Sequence, residues 1–247
     1  MQGFVDCHYF PKFLDLMCNL WSFFVCVCSH ASCFPRFPGF IFPCLGVHPV
    51  QKVSPERQRG ASLQDLDAAL PIIQKYKDQL VAIGEVGLDF TPRYVSSDAD
   101  KEGQRQVLIR QAQLAKELDL PLNVHSRSAG RPTIHLLKEQ GLSSILLHNS
   151  APVPSDSTDV FTWFVFVDFI PPSKQKLVKQ LPLENICLET DSPVLGPEKQ
   201  VRNEPTNISI SAEYVSKIKG VSLQMVMEVT TQNALRLFPK LKSALRP

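Results

Sequence analysis

The chain has 247 residues, of which 44% are hydrophobic and 20% charged, and its formal net charge is +2. This is ordinary globular composition, and a chain of this length buries a full core without disulfides or metal as staples. So small a net charge gives no argument for nucleic acid, because electrostatic binding of DNA needs a patch and not a total. No long polar or Gly/Ser linker marks a boundary, so residues 1–247 read as a single domain, the size of one α/β barrel of about 250 residues.

Gly3-Phe4-Val5-Asp6-Cys7-His8 is the first short apolar run that closes on an ionisable residue. The segment after it is unlike the rest of the chain. Residues 10–45 are dominated by Phe, Cys, Leu, Ser and Pro, and Glu is absent. Six of the seven cysteines (Cys7, Cys18, Cys26, Cys28, Cys33 and Cys44) fall within the first 44 residues, with only Cys187 beyond. No Cys-x-x-Cys pair occurs. Neither a spread disulfide framework nor a zinc ribbon fits, and the thiols read as reduced in an intracellular protein.

Three readings of this segment compete. A signal peptide or membrane helix would use Phe13 to Cys28, but that run holds Asp15, Asn19 and Ser22. It also falls short of the ~20 residues of a bilayer span and has only Lys12 before it as a basic flank. A native βα unit would need a charged helix face, and residues 11–28 carry only Lys12 and Asp15. The third reading is foreign sequence, a retained intron or alternative exon, since these residue types share pyrimidine-rich codons. It accounts best for the composition. A further strand can still hide in Phe23-Phe24-Val25-Cys26-Val27.

Beyond residue 40 the pattern is regular. Ile41 to His48, Val81 to Glu85, Leu122 to His125, Ile145 to His148, Phe164 to Val167 and Ile186 to Asp191 are short apolar runs, most of them ending in a polar residue. Helical stretches alternate with them: Ser62 to Gln79, Gly103 to Leu118, Arg131 to Gln140, Ser211 to Lys219 and Val221 to Phe238. Ser62-x-x-Asp65 reads as a capping box, Pro71 should kink or divide the first helix, and Gly220 suits a helix end. Alternating strands and helices imply a parallel sheet or barrel.

In a β/α barrel the C-terminal strand ends form the active-site face. His8, His48, Glu85, His125, His148 and Asp191 all fall at such ends. A single histidine after a strand is commonly a surface residue, but four of the six histidines are placed this way, with carboxylates at equivalent positions. Imidazole and carboxylate are the ligands expected of a divalent-metal hydrolase.

These residues resemble the TatD family of metal-dependent deoxyribonucleases. Asp6-Cys7-His8 resembles the opening of its D-x-H-x-H motif, and Gly84 to Asp89 its G-E-[IV]-G-L-D motif. Asn123 to Arg127 resembles its H-x-R strand end, Leu188 to Pro193 its E-T-D-[SA]-P signature, and Thr231 to Phe238 its closing N-A-x-x-[LI]-F helix. The segments Leu45 to Val50 and Leu195 to Gln200 are most similar to animal members. The resemblance implies a TIM-type (β/α)8 barrel of the metallo-dependent hydrolase kind, acting on DNA as a monomer with two divalent cations (Zn, Mg or Mn). By the same resemblance His8 binds the first metal, Glu85 bridges, His125 and His148 hold the second, and Asp191 binds metal and deprotonates the attacking water. Arg127 and His48 are candidate phosphate contacts. Asp89 is a cap rather than a catalyst, and Glu189 and Thr190 support Asp191.

Two departures stand out. The second histidine of D-x-H-x-H should be residue 10, which is Phe10. Phenylalanine cannot ligate a metal, so the first site should be weak and the nuclease impaired. After His148, residues 149–160 carry Pro152 and Pro154 and no apolar stripe, so the barrel is expected to be incomplete around strand 2 and after strand 6, with residues 10–40 and 149–169 atypical. The alternatives are a dead or unstable splice variant, and an amidohydrolase-like enzyme. The latter commonly carries a carboxylated bridging Lys, and Glu85 stands in that place. The expected location is cytoplasmic or nuclear, with no membrane; the Asn207-Ile208-Ser209 sequon reads as chance.

Overall fold

A computed structural model describes residues 4–9, 22–27, 41–54, 56–142, 144–148, 162–167, 175–198 and 200–243, with the backbone alone described for 4–9, 22–27, 144, 146, 148, 162–167, 176 and 243. Its contacts divide the chain into two compact units, residues 44–163 and residues 1–43 with 164–247. Phe10 and most of both atypical segments lie outside the described residues.

The first unit is built on parallel strands. β3 (Ile41–Leu45) enters it at Cys44 and pairs with β6 (Ala82–Asp89), which pairs with β7 (Leu122–Arg127), which pairs with β8 (Ser144–His148). Every residue of β6 is buried, as expected of a strand covered on both faces. Three helices connect these strands: α1 (Leu63–Tyr76), α2 (Asp98–Glu117) and α3 (Gly130–Glu139). Val47, Ala61, Leu66 and Val107 form one apolar cluster beneath the loop after β3. A small antiparallel hairpin of β4 (Val50–Lys52) and β5 (Gln58–Gly60) extends from that loop; the alternation of strand and helix gives no sign of it.

Helix starts obey the capping chemistry. Asp65 accepts a hydrogen bond from the Ser62 N–H at 2.8 Å, as the capping box requires. Pro71 does not divide α1, which runs unbroken from Leu63 to Tyr76. Pro71 and Asp67 are both exposed, so the Asp67 carbonyl that loses its helical donor stays open to water. α2 begins at Asp98, earlier than the apolar stripe suggests, because Ser97 and Asp100 form a second capping box (3.0 and 3.1 Å) ahead of that stripe.

The second unit holds the parallel pairs β1 (Phe4–Tyr9) with β2 (Ser22–Val27), and β9 (Thr162–Val167) with β10 (Ile186–Leu188); β1 also lies beside β10. A strand does occupy the apolar run within the atypical segment. α4 (Gln175–Gln180), α5 (Ile208–Lys219) and α6 (Leu223–Leu237) complete this unit, with Val178, Ile186, Leu188, Ala212, Val215 and Val226 packed together. α5 ends on Gly220 in the left-handed region (φ 66°), the anticipated cap. Asn233 of the closing helix donates to the carbonyls of Leu183 (2.9 Å) and Ile186 (2.7 Å), which anchors the start of β10. Cys44 and Cys187 are buried thiols. No helix among the described residues is long and apolar enough to cross a membrane.

Candidate metal centre

Among the described residues one group of side chains can hold a metal ion: His48, Glu85 and His125, each offering one ligand atom, with all three atoms within 4.8 Å of one another. They come from the loop after β3, from β6 and from β7. Glu85 sits between the two imidazoles. Its Oε1 lies 3.0 Å from His125 Nδ1 and its Oε2 lies 3.8 Å from His48 Nε2. The rings themselves meet edge to face, with centroids 4.6 Å apart. Glu85 and His125 are buried, 4% and 5% exposed, whereas about a third of the His48 side chain (34%) reaches solvent.

Local structure dictates this convergence. Gly87 adopts φ 142°, and a Cβ there would stand 1.9 Å from the His125 carbonyl oxygen, so only glycine lets β6 pass this close to β7. His48 is fixed from both sides by glutamines of α2 that share its buried face. Gln111 accepts from the Val47 N–H (2.6 Å) and donates to the Val47 carbonyl (3.2 Å). Gln104 donates to the Pro49 carbonyl (2.9 Å) and the Asp89 carbonyl (3.1 Å), and accepts from the Asp89 N–H (2.9 Å). Neither glutamine stands out in the sequence. Their trace there is two uncharged polar residues one heptad apart on an otherwise apolar stripe with Leu108 and Ala115.

Asp89 does more than cap. Its Oδ1 accepts from the Thr91 N–H at 3.0 Å, and its Oδ2 lies 3.1 Å from His125 Nε2. Burial alone would raise this carboxyl, but the bonds from His125 and Thr91 outweigh it and hold Asp89 below the usual carboxylate range. His125 thus stands between two carboxylates, Glu85 at Nδ1 and Asp89 at Nε2. A carboxylate behind a histidine is the usual partner of a metal-binding imidazole. At His48, burial lowers the imidazole below its ordinary value despite the opposing pull of Glu85, which favours the neutral form that ligates metals. The donor set therefore fits a divalent cation.

The remaining candidates divide. His148 faces His125 across the β7–β8 register; its side chain is outside the described residues. His8 lies in β1, again as backbone alone. Asp191 belongs to the second unit, buried (2%) just past β10 with a left-handed φ of 57°. Its loop is stapled by Asn203, which donates to the carbonyls of Thr190 and Val194 and bonds through its N–H to the Pro193 carbonyl (3.1 Å). Arg127, the last residue of β7, is exposed and makes no ion pair among the described residues.

Known proteins resemble the chain over most of its length. Residues 29–239 match the family model described as TatD related DNase. The chain is 64% identical to deoxyribonuclease TATDN3 of Homo sapiens over 85% of its own length and 79% of that protein. It is 32% identical to the uncharacterized metal-dependent hydrolase YabD of Bacillus subtilis, over 81% of this chain and 78% of that one. The crystal structure of YjjV, a TatD homologue from Escherichia coli K12, superposes with a TM-score of 0.76 at 22% identity, covering 96% of this chain and 98% of that one, which gives the α/β barrel fold. The chain belongs to the family of TatD-related DNases.

Proposed function

We propose that this chain is a divalent-metal-dependent phosphodiesterase acting on DNA. The observation that carries the reading is the His48–Glu85–His125 cluster with Asp89 behind His125. A cation bound there supplies Lewis acidity and a water of lowered pKa. The residues present do the rest. Glu85 and His125 would hold the cation, and Asp89, 3.1 Å from His125 Nε2, would steady that ring. Arg127, two residues past His125 and exposed, suits a phosphate oxygen, since guanidinium pairs with phosphate in a fork. By resemblance, His8, His148 and Asp191 complete a two-metal ligand set, and Asp191 accepts the proton of the attacking water. Phe10 removes one ligand of that set, so turnover should lie below that of a relative with both histidines. The human relative's name supports DNA as the substrate, and Glu85 in the bridging place speaks against an amidohydrolase.

The test is cleavage of a labelled DNA oligonucleotide with added zinc, magnesium or manganese, before and after chelation. Chelation should abolish cleavage and each added cation should be scored for rescue. Glu85→Gln keeps the shape but not the charge and should lower the rate at least about 100-fold, more than the loss of a partner behind a ligand costs. Cleavage that survives both treatments would refute the reading.

A further inference from the structure

We propose that the turn leaving β6 is a nucleotide seat, in which Phe90 stacks on a base of the DNA strand while Arg93 and Arg127 hold the phosphates beside it. This rests on the phosphodiesterase reading above and deepens it by naming what grips the strand next to the bond that is cut.

Position is the first argument. β6 and β7 run parallel with Asp89 opposite Arg127, so both strands end on the side where a β/α barrel places its chemistry. Phe90 follows β6 directly, and its N–H donates to the carbonyl of Arg127, the last residue of β7, at 3.0 Å. Asp89 ties this exit to the metal centre: Oδ1 accepts from the Thr91 N–H at 3.0 Å, and Oδ2 lies 3.1 Å from His125 Nε2. The Tyr94 N–H closes the turn on the Thr91 carbonyl at 2.9 Å, and the Tyr94 carbonyl accepts from the Gly60 N–H of the β4–β5 hairpin at 3.1 Å. The turn is therefore fixed at both ends before a substrate arrives, as a binding surface requires.

Charge is the second. The total charge of the chain favours no nucleic acid, but its distribution here does. Arg93, Arg127 and Arg131 are exposed, and none of them forms an ion pair among the described residues. The one acid within residues 89–95 and 126–131 is Asp89, which is buried and engaged by Thr91 and His125. The acids that follow are answered locally: Asp98 by Lys101 at 2.8 Å, Glu102 by Arg105 at 3.2 Å, and Asp100 by the N–H groups of Ser96 and Ser97 at 3.0 Å. Exposed guanidinium groups without a carboxylate, set beside a phosphodiesterase centre, complement a polyanion.

The ring is the third. Phe90 is a part-exposed aromatic side chain at the exit of the two strands that bear Glu85 and His125. The Arg105 guanidinium lies 5.3 Å from its centroid and is itself held by Glu102. A ring steadied by a cation on its face loses little freedom when a base settles on it. Tyr94, the other ring of the turn, is joined through its carbonyl to the hairpin, so Phe90 is the ring at the strand exits. Every base offers a π-face, so stacking demands no particular sequence, which suits an enzyme that cuts the backbone.

The experiment uses the full chain and a fluorescein-labelled single-stranded DNA oligomer, with binding read by anisotropy in the presence of chelator so that no cleavage intrudes. A second oligomer carries the same phosphates on abasic spacers, without bases. The unaltered protein should bind the natural oligomer roughly 5- to 150-fold more tightly than the spacer oligomer, the contribution of one stacked base. Phe90→Ala should abolish that preference and Phe90→Trp should keep it. Arg93→Gln and Arg127→Gln should each weaken both oligomers alike and lower the slope of log affinity against log salt by about 0.7, as one phosphate contact on a single strand does. Equal binding of the two oligomers by the unaltered protein overturns the proposal without recourse to any variant. So does a preference that survives in Phe90→Ala, or a salt slope untouched in Arg93→Gln. If the unaltered protein binds neither oligomer the seat is refuted as well, and if it also cleaves no DNA with any added cation, the phosphodiesterase reading falls with it.

Discussion

Each unit carries a buried acid on or just past a strand, Glu85 within β6 and Asp191 past β10, yet the two acids are held by different means. Around Glu85 the framework is remote in sequence. Gln104 and Gln111 reach from a helix to the loop of His48, across separations of 55 and 64 residues. Around Asp191 the framework is local: Asn203 folds back on a loop only 13 residues upstream, and Thr190 accepts from Ser192 two residues on. A remotely bolted site is tied to the packing of its whole unit. A locally stapled loop can loosen while its unit stays folded. The two therefore predict different responses to mutation.

The largest effect should come from Gly87→Ala. The new Cβ would stand 1.9 Å from the His125 carbonyl oxygen, in a backbone conformation (φ 142°) that alanine avoids. The strand pair must separate, and the loss should exceed about 3 kcal/mol, read as a fall in the urea midpoint. A stable Gly87→Ala protein would mean that β6 and β7 are less tightly joined than the register implies.

Gln111→Ala should cost about 2–3 kcal/mol, because it strands the buried N–H and carbonyl of Val47 together. Zinc affinity should fall in parallel, since His48, the next residue, stands beside Glu85. Asn203→Ala breaks or sharpens the contrast. Its bonds to Thr190 and Val194 are within one loop, so the expected loss is smaller, about 1–2 kcal/mol. Zinc binding at Glu85 and His125 should be unaffected while cleavage of DNA declines. Equal losses of stability and zinc affinity in the two variants would erase the distinction between remote and local support.

The same contrast explains what the sequence can disclose. Glu85 and His125 are legible because alternation of apolar runs and helices singles them out, although β6 runs on to Asp89 and β7 to Arg127, so neither closes its strand as the apolar runs suggest; Gly87 sits in a recognisable motif. Asp89 reads only as a cap, since its second oxygen meets His125 through a strand pairing that spans 36 residues. The glutamine clamps are invisible for the same reason: a buried glutamine on a helix announces nothing until its partner's position is known. Local devices fare better. The Ser62 capping box and the Gly220 helix end are both evident, because every atom involved lies within one turn. α2 shows the limit of that rule. Its apolar stripe draws the eye away from the box at Ser97, and the helix begins before that stripe does.

The smallest expected effect concerns a local device at the edge of the first unit. Asp65 caps α1 and takes both terminal nitrogens of Arg59 at 2.7 Å. The hydrogen-bonded guanidinium lowers its carboxyl from 3.8 to about 2, outweighing the opposing effect of partial burial. A carboxyl whose folded value is depressed stabilises the fold above its unfolded value and loses that contribution as pH falls toward the folded one. The window here runs from 3.8 down to about 2. Arg59 is 45% exposed, so solvent screens the pair, and cap and ion pair together should contribute about 1 kcal/mol. Asp65→Ala should then melt about 2–4 °C below the parent at pH 7. The gap should persist at pH 5 and narrow as pH drops below 3.8. A gap that stays constant through that range would assign the stabilisation to hydrogen bonds that a neutral carboxyl keeps and not to its charge.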